Sequence, residues 1–441
     1  MRLKISLGPI SDAYITLGDL TVFFGPPNSG KSITLNSLYY LLKPPPLSFS
    51  FSSNGNKFEA YSQVLTVKGE VNENKINFEY LFSNDYLKSL LPEGKLEVEP
   101  FSFIDFAKNK AIYVSYSANL PNPALVLPLD CKINEIENIN YEVKIAGGKG
   151  VINFSAEGIV DQCKNLVYME IAKNIINAFA DYLFSEYKKL FYDELYKREG
   201  IKDVLPIPYW RPFITHELLA TEGSILKILK AFGIQLADSP VLLDYLNRIS
   251  EAKINSHVYK LLQPLISGSI EPIGNKVVYK EDGKVIPLKF ASASIMEILS
   301  ILLSVREKDL ILYEEPETQF HEKFQLVISI ILYALTNTNK IVITTHSQTI
   351  IYTLSFLALL KPSAEDISNL FKSIGLKDYE YLAKEVEKAN TKTIKFYYFH
   401  DGKVEEKTAD DVSEGIQGVQ DIMNKEFEWF STLYQRKIWE K

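Results

Sequence analysis

Gly25-Pro26-Pro27-Asn28-Ser29-Gly30-Lys31-Ser32 fits the pattern G-x-x-x-x-G-K-[ST], whose residue types suit the holding of a phosphate chain. Gly25 and Gly30 let the backbone curl so that successive N–H groups face one anion. Lys31 can reach the terminal phosphates, and the Ser32 hydroxyl can ligate Mg²⁺. The expected contacts with a bound nucleotide are Gly25, Pro26, Asn28, Ser29, Gly30, Lys31, Ser32 and Ile33.

Two further groups complete such a site. The apolar run before Glu314-Glu315-Pro316-Glu317 ends in carboxylates, which a Mg²⁺-assisted phosphate site needs beside its glycine loop. Glu314 is expected to hold the metal through water, and Glu315 to orient and deprotonate an attacking water. The run 340–345 leads to His346, where a neutral imidazole can hydrogen-bond a γ-phosphate. Ser292 or Ser294 reads as the N-cap of a helix to about residue 305, with Glu297 near a capping-box position.

These residues need elements to carry them. A buried strand over 19–24 and a helix over 33–42, closed by the prolines 44–46, put the glycine loop in the required strand–loop–helix setting. Tyr14, on a preceding strand, could stack on an adenine ring. From 57 to 82 the apolar residues alternate, and further strands are expected at 95–103, 111–117, 141–145 and 151–154: an antiparallel lobe. Helical spacing covers 166–195, 218–232, 241–249 and 258–262, with Leu205-Pro206-Ile207-Pro208 as a break. The basic cluster Lys188, Lys189, Lys197, Arg198 and Lys202 reads first as a solvated helix face. Strands return at 270–279 and 285–290. After His346 come helices at 348–360, 364–374 and 379–388, strands at 393–399 and 404–407, and a last helix over 418–439. Asp401, Asp410 and Asp411 stand in turn-like settings that do not read as a nuclease site.

The expected domains are 1–160, the first half of a split core with the antiparallel lobe; 161–268, a helical insertion; and 269–441, the second half. A chain of 441 residues exceeds one simple core. The net charge of −7 excludes an overall basic field of the kind that draws nucleic acid, though not a local one. Cys131 and Cys163 are too few for a disulfide framework. The opening residues do not read as a signal peptide, and apolar runs such as 326–335 are about half a bilayer span. A soluble, cytoplasmic protein without a membrane partner is expected.

The set GPPNSGKS, ASASxxE, LYEEPE and TTHS, in that order, resembles the ABC-type ATPase heads of the SMC, RecF and OLD-like group, a branch of stand-alone AAA-family ATPases. The resemblance covers residues 1–45 and 285–441. It implies an α/β P-loop NTPase with an ABC-type head: a mixed central sheet, an antiparallel β-lobe and an inserted helical domain. It makes Gly25, Asn28, Gly30, Lys31 and Ser32 the Walker A loop, Glu314 the Walker B acid, Glu315 the catalytic acid, 317–321 the D-loop region and His346 the switch histidine. Ser292 and Ser294 fall at the signature motif, which caps the γ-phosphate bound to the other protomer. The implied cofactors are ATP and Mg²⁺. The implied activity is ATP hydrolysis by an ATP-sandwiched homodimer that drives a partner effector protein, or acts on DNA, in genome maintenance or defence.

The pattern also departs from the group. Glu314 replaces the usual Asp, Ser294 the usual signature Gly, and no Q-loop glutamine is evident, residues 113–117 being the nearest equivalent. Rival readings are an ATP-gated DNA- or protein-binding module with negligible turnover, and an OLD-like nuclease. A transporter subunit fits poorly with so long an insertion.

Overall fold

The computed structural model describes residues 2–7, 10–43, 50–61, 65–72, 75–82, 95–99, 113–114, 139–146, 149–156, 169, 196–220, 240–251, 253–273 and 276–415. Contacts divide the chain into two units, Met1–Lys43 with Tyr196–Lys441, and Pro44–Leu195.

In the first unit, β1 (Arg2–Leu7) and β2 (Ile10–Thr16) form an antiparallel hairpin that leads into β3 (Leu20–Phe24). All five β3 residues are buried, as a strand covered on both faces requires. The second unit holds β4 (Ser50–Asn54), β5 (Lys57–Tyr61), β6 (Leu65–Asn72), β7 (Lys75–Phe82), β8 (Lys95–Glu99), β9 (Tyr113–Val114), β10 (Ile139–Ala146) and β11 (Lys149–Ala156). Seven of these form one sheet in the order β4-β5-β6-β7-β11-β10-β9, antiparallel throughout. The alternation over 57–82 is the sequence trace of this sheet: Phe58, Val71 and Phe78 are buried while Lys57, Asn72 and Lys75 are exposed.

The first unit is organised by a six-stranded sheet, β12-β16-β17-β3-β18-β19. Its members are β12 (Asp203–Ile207), β16 (Asp309–Glu314), β17 (Lys340–Thr345), β3, β18 (Ile394–His400) and β19 (Lys403–Lys407). The first five run parallel, and β19 returns antiparallel through a tight turn at Asp401 and Gly402, both at positive φ. A separate antiparallel sheet joins β13 (Ser269–Ile273), β14 (Lys276–Glu281) and β15 (Lys284–Ile286). The helices are α1 (Lys31–Leu42), α2 (Arg211–Ala220), α3 (Pro240–Ser250), α4 (Ser256–Leu262), α5 (Ala293–Ser304), α6 (Glu322–Leu335), α7 (Gln348–Leu360), α8 (Ala364–Ser373), α9 (Glu380–Ala389) and α10 (Ala409–Ser413).

The boundary at 195/196 divides the expected helical insertion. Leu242, Tyr245, Leu246 and Ile249 of α3 lie in the same buried cluster as Leu299 and Leu302 of α5 and Val22 of β3. The stretch at 205–208, expected to be a break between helices, is largely the strand β12. Proline is tolerated there because β12 is an edge strand. The single strand expected over 270–279 is interrupted, with β13 and β14 pairing to each other. Residues 409–411 are not a turn but the start of α10, whose Thr408 and Asp411 form a capping box. Most of the helix expected over 166–195, residues 221–232 and 418–439, and Lys188 and Lys189 lie outside the described residues. Among the described residues no helix is long and apolar enough to cross a membrane.

The foot of the sheet is pinned by charge. Arg248 of α3 donates to Asp203 (2.7 Å) and to Asp309 (3.1 Å), and Lys43 bridges Asp203 and Asp244 at 3.0 and 2.8 Å. Burial pushes the Asp309 carboxyl up to about 6, against the pull of Arg248.

Candidate functional site

Register puts the chemistry at one end of the sheet. Thr345 pairs with Phe24 and Thr344 with Glu314, so the residues that follow these strands, His346, Gly25 and Glu315, leave the sheet side by side. On the other flank Ile207 pairs with Tyr313, which brings Tyr209 to the same edge. The carboxyl ends of parallel strands are where such sheets offer a crevice.

The Gly25–Ser32 loop takes the backbone that its glycines permit. Gly25 has φ 140° and Gly30 φ 100°, and Asn28 also turns left-handed at 58°. At Gly25 space compels glycine as well: a Cβ would stand 2.1 Å from the carbonyl oxygen of Phe399 on the neighbouring β18. Gly30 then caps α1. Lys31, buried at 4 % exposure, donates to the carbonyls of Gly25 (3.0 Å) and Pro26 (2.7 Å) and to Ser29 Oγ (3.2 Å). Burial pulls its ammonium down to about 8, while Glu315 and Glu317 oppose the shift. Ser29 is buried and Ser32 half-buried, whereas Pro26, Asn28 and Ile33 are exposed.

Glu315 follows β16 at φ 47°, a left-handed conformation unusual for a residue with a side chain. Its N–H donates to the Thr344 carbonyl at 2.9 Å. One Glu314 carboxylate oxygen lies 3.4 Å from the backbone N–H of Tyr209. The His346 ring stands 3.8 Å from Glu315 (Nε2 to Oε1), beside the backbone of Gly25. Burial and then the nearby Lys31 charge lower the His346 pKa, which favours the neutral ring. Lys31, Glu315 and His346 therefore meet at the start of the glycine loop.

The donor chemistry of Ser32 and Glu314 fits Mg²⁺. Among the described residues no cluster of three or more His, Cys, Asp or Glu could hold a metal unaided. Magnesium seldom uses such cages; it takes one or two protein oxygens and completes its shell with phosphates and water. A Ser32 hydroxyl and a Glu314 carboxylate are of that type.

Glu317 is a site residue whose connections sequence reasoning did not reach. Its carboxylate accepts from Thr345 Oγ1 (2.9 Å) and from the backbone N–H groups of His346 (2.7 Å) and Ser347 (3.1 Å). It thereby ties the turn after β16 to the tip of β17 and the start of α7. Burial pushes its pKa up.

Ser292 is the N-cap of α5 and accepts from Ile295 N, whereas Ser294 donates to the Gln319 carbonyl at 2.9 Å. Glu297 is not a capping partner. It lies past the first turn, fully buried, and accepts from Arg211 Nε (2.5 Å) and from the Tyr313 hydroxyl (2.7 Å). Arg211 went unnoticed in the sequence, although it is the lone charge in the stretch from Val204 to Thr215. Such a charge, in a stretch this apolar, must either leave the core or find a partner. Tyr113 and Val114, the first residues of the expected Q-loop equivalent, belong to the second unit, and 115–117 lie outside the described residues.

Comparison with known proteins adds a family and some distant folds. A family model described as "AAA ATPase domain" matches residues 7–351. Comparison with curated proteins gives no match. Among solved structures, the SMC head domain from Thermotoga maritima is 9 % identical, covers 92 % of this chain and 97 % of its own, and has a TM-score of 0.31. An Smc head with an extended coiled coil, bound to the C-terminal domain of ScpA and derived from Pyrococcus furiosus, is 10 % identical over 95 % and 98 %, with a TM-score of 0.29.

Proposed function

We propose that this chain, which belongs to the AAA ATPase domain family, binds Mg-ATP on the Gly25–Ser32 loop and hydrolyses it to ADP and phosphate. The observation that carries this reading is the meeting of Lys31, Glu315 and His346 where β3, β16 and β17 end. In it, Gly25–Ser32 acts as the Walker A loop: its backbone N–H groups and the α1 N-terminus face the phosphates. Lys31 exchanges the loop carbonyls for phosphate oxygens. Ser32 and Glu314 hold Mg²⁺, which when bound neutralises charge on the terminal phosphates. Glu315 orients the attacking water and takes its proton. Neutral His346 donates to the γ-phosphate and registers its loss.

Two copies close over two nucleotides in this reading, and Ser292 and Ser294 of each complete the other's site. The cycle of closing and opening then works on a partner protein or DNA, in genome maintenance or defence. Light scattering after size exclusion tests this, with Glu315→Gln to arrest turnover. ATP should convert the variant from monomer to dimer, and wild-type protein should release phosphate. A variant that stays monomeric with ATP bound removes the sandwich. A wild type that binds ATP without releasing phosphate leaves a binding module instead of an enzyme.

A further inference from the structure

Arg211, the first residue of α2, is fully buried and has no place in the steps above. Its Nη1 donates to the carbonyls of Pro208 (2.9 Å) and Glu314 (2.6 Å), and its Nη2 to that of Glu315 (2.8 Å). Its Nε meets Glu297, and the guanidinium carbon lies 4.5 Å from the centre of the Tyr313 ring. The Tyr313 hydroxyl closes the group by donating to the same Glu297 oxygen. One planar cation thus grips two successive carbonyls at the end of β16 and one carboxylate on α5.

Stability alone is a poor reason for this arrangement. A buried ion pair is often no more stabilising than apolar side chains of the same volume. What the planar fork supplies is geometry. Glu315 sits in a left-handed conformation that side-chain-bearing residues keep only when their surroundings impose it. The imposing contacts are three: Thr344 holds its N–H, and its C=O accepts from Arg211 and from the Thr318 N–H at 3.0 Å. Glu297 in turn lies on the helix that Ser292 caps, and Ser294 of that helix holds the loop at Gln319. A shift of α5 therefore reaches the Glu315 peptide through one rigid side chain.

We propose that Arg211 is a positioning residue: with Glu297 it sets the Glu315 carboxylate and links its placement to the start of α5, so that hydrolysis, and not nucleotide binding, depends on the pair. This rests on the ATPase reading. The test compares wild type, Arg211→Lys and Glu297→Gln in ATP affinity, turnover and melting temperature. Lysine keeps the charge but cannot span both carbonyls and the carboxylate. For Arg211→Lys, affinity should stay within about threefold while kcat falls on the order of 100-fold, the usual scale for a misplacement of about 1 Å. Glu297→Gln keeps the shape and an accepting oxygen, and should show a smaller loss in kcat alone. It carries the test if Arg211→Lys does not fold. Unchanged kcat in the folded variants overturns the proposal, as does a parallel fall of affinity and kcat. A wild type without turnover overturns the ATPase reading itself, which the variants then cannot rescue.

Discussion

His346 Nε2 and Glu315 Oε1 stand 3.8 Å apart, at the tips of adjacent parallel strands. The separation leaves the carboxylate free to accept a proton, with a neutral imidazole beside it. Glu315→Gln should lower the rate of phosphate release by about 10²–10⁴ while ATP binding persists. His346→Ala should cost less. The wild-type rate should decline on the acid side, where His346, its pKa lowered by burial and by Lys31, takes up a proton. Phosphate release across pH, alongside fluorescent-nucleotide titration, separates these effects.

If Lys31 holds phosphate as proposed, it should give nucleotide binding a basic limit. Its ammonium is drawn down to about 8, and only the charged form attracts phosphate. Affinity should therefore weaken above pH 8, approaching tenfold per unit well beyond it. The sign also fixes proton traffic: phosphate stabilises the ammonium, raises its pKa and so makes binding take up protons near pH 8. Calorimetry in buffers of different ionisation enthalpy measures that uptake. Proton release at this pH would contradict the assignment.

Glu317 holds the strand tip that carries His346. Glu317→Ala removes the acceptor of one hydroxyl and two backbone N–H groups. The expected cost is about 1–3 kcal/mol. Hydrogen exchange should quicken at the His346 and Ser347 amides ahead of those in the middle of β17, and phosphate release should fall. Equal protection in variant and wild type would show that the carboxylate holds nothing.

Much of this site was legible in the sequence, for physical reasons that differ by residue. Gly25, Gly30 and Lys31 announce themselves because few residue types can do what a phosphate loop needs. Glu314, Glu315 and His346 are visible because polar groups directly after buried strands stand out. Arg211 and Glu297 were not legible as a pair: 86 positions separate them, and burial, which sequence does not report, makes the contact. The register that aligns Gly25, Glu315 and His346 is likewise a property of the sheet. The strand at 203–207 was misread because Pro206 within it and Pro208 just after it mimic a helix break, and its edge position makes Pro206 acceptable.

Asp309 should impose a pH dependence on stability from the opposite end of the sheet. Its folded pKa of about 6 lies above the ordinary value of 3.8. Its contribution is therefore complete below pH 3.8 and is lost as pH rises through 6. Asp309→Asn keeps the shape and an acceptor for the Arg306 N–H. Relative to wild type, the variant should gain on the order of 1–3 kcal/mol between pH 4 and pH 7. Urea unfolding at the two pH values measures this. A difference independent of pH would remove Asp309 as the titrating group.

The position of β3 also governs how the chain is made. Leu20 pairs with Ile341 on one side and Ile394 on the other, so both neighbours come from more than 300 residues downstream. At ribosomal speeds of about 5–20 residues per second, the apolar strand before the glycine loop waits on the order of 20–70 s for them. Throughout that interval it is an unpaired edge in search of a partner. Synthesis of this protein should therefore lean on chaperones that cover nascent chains. An abundant arrested product of about 300 residues should be caught by them, or aggregate, rather than bind nucleotide.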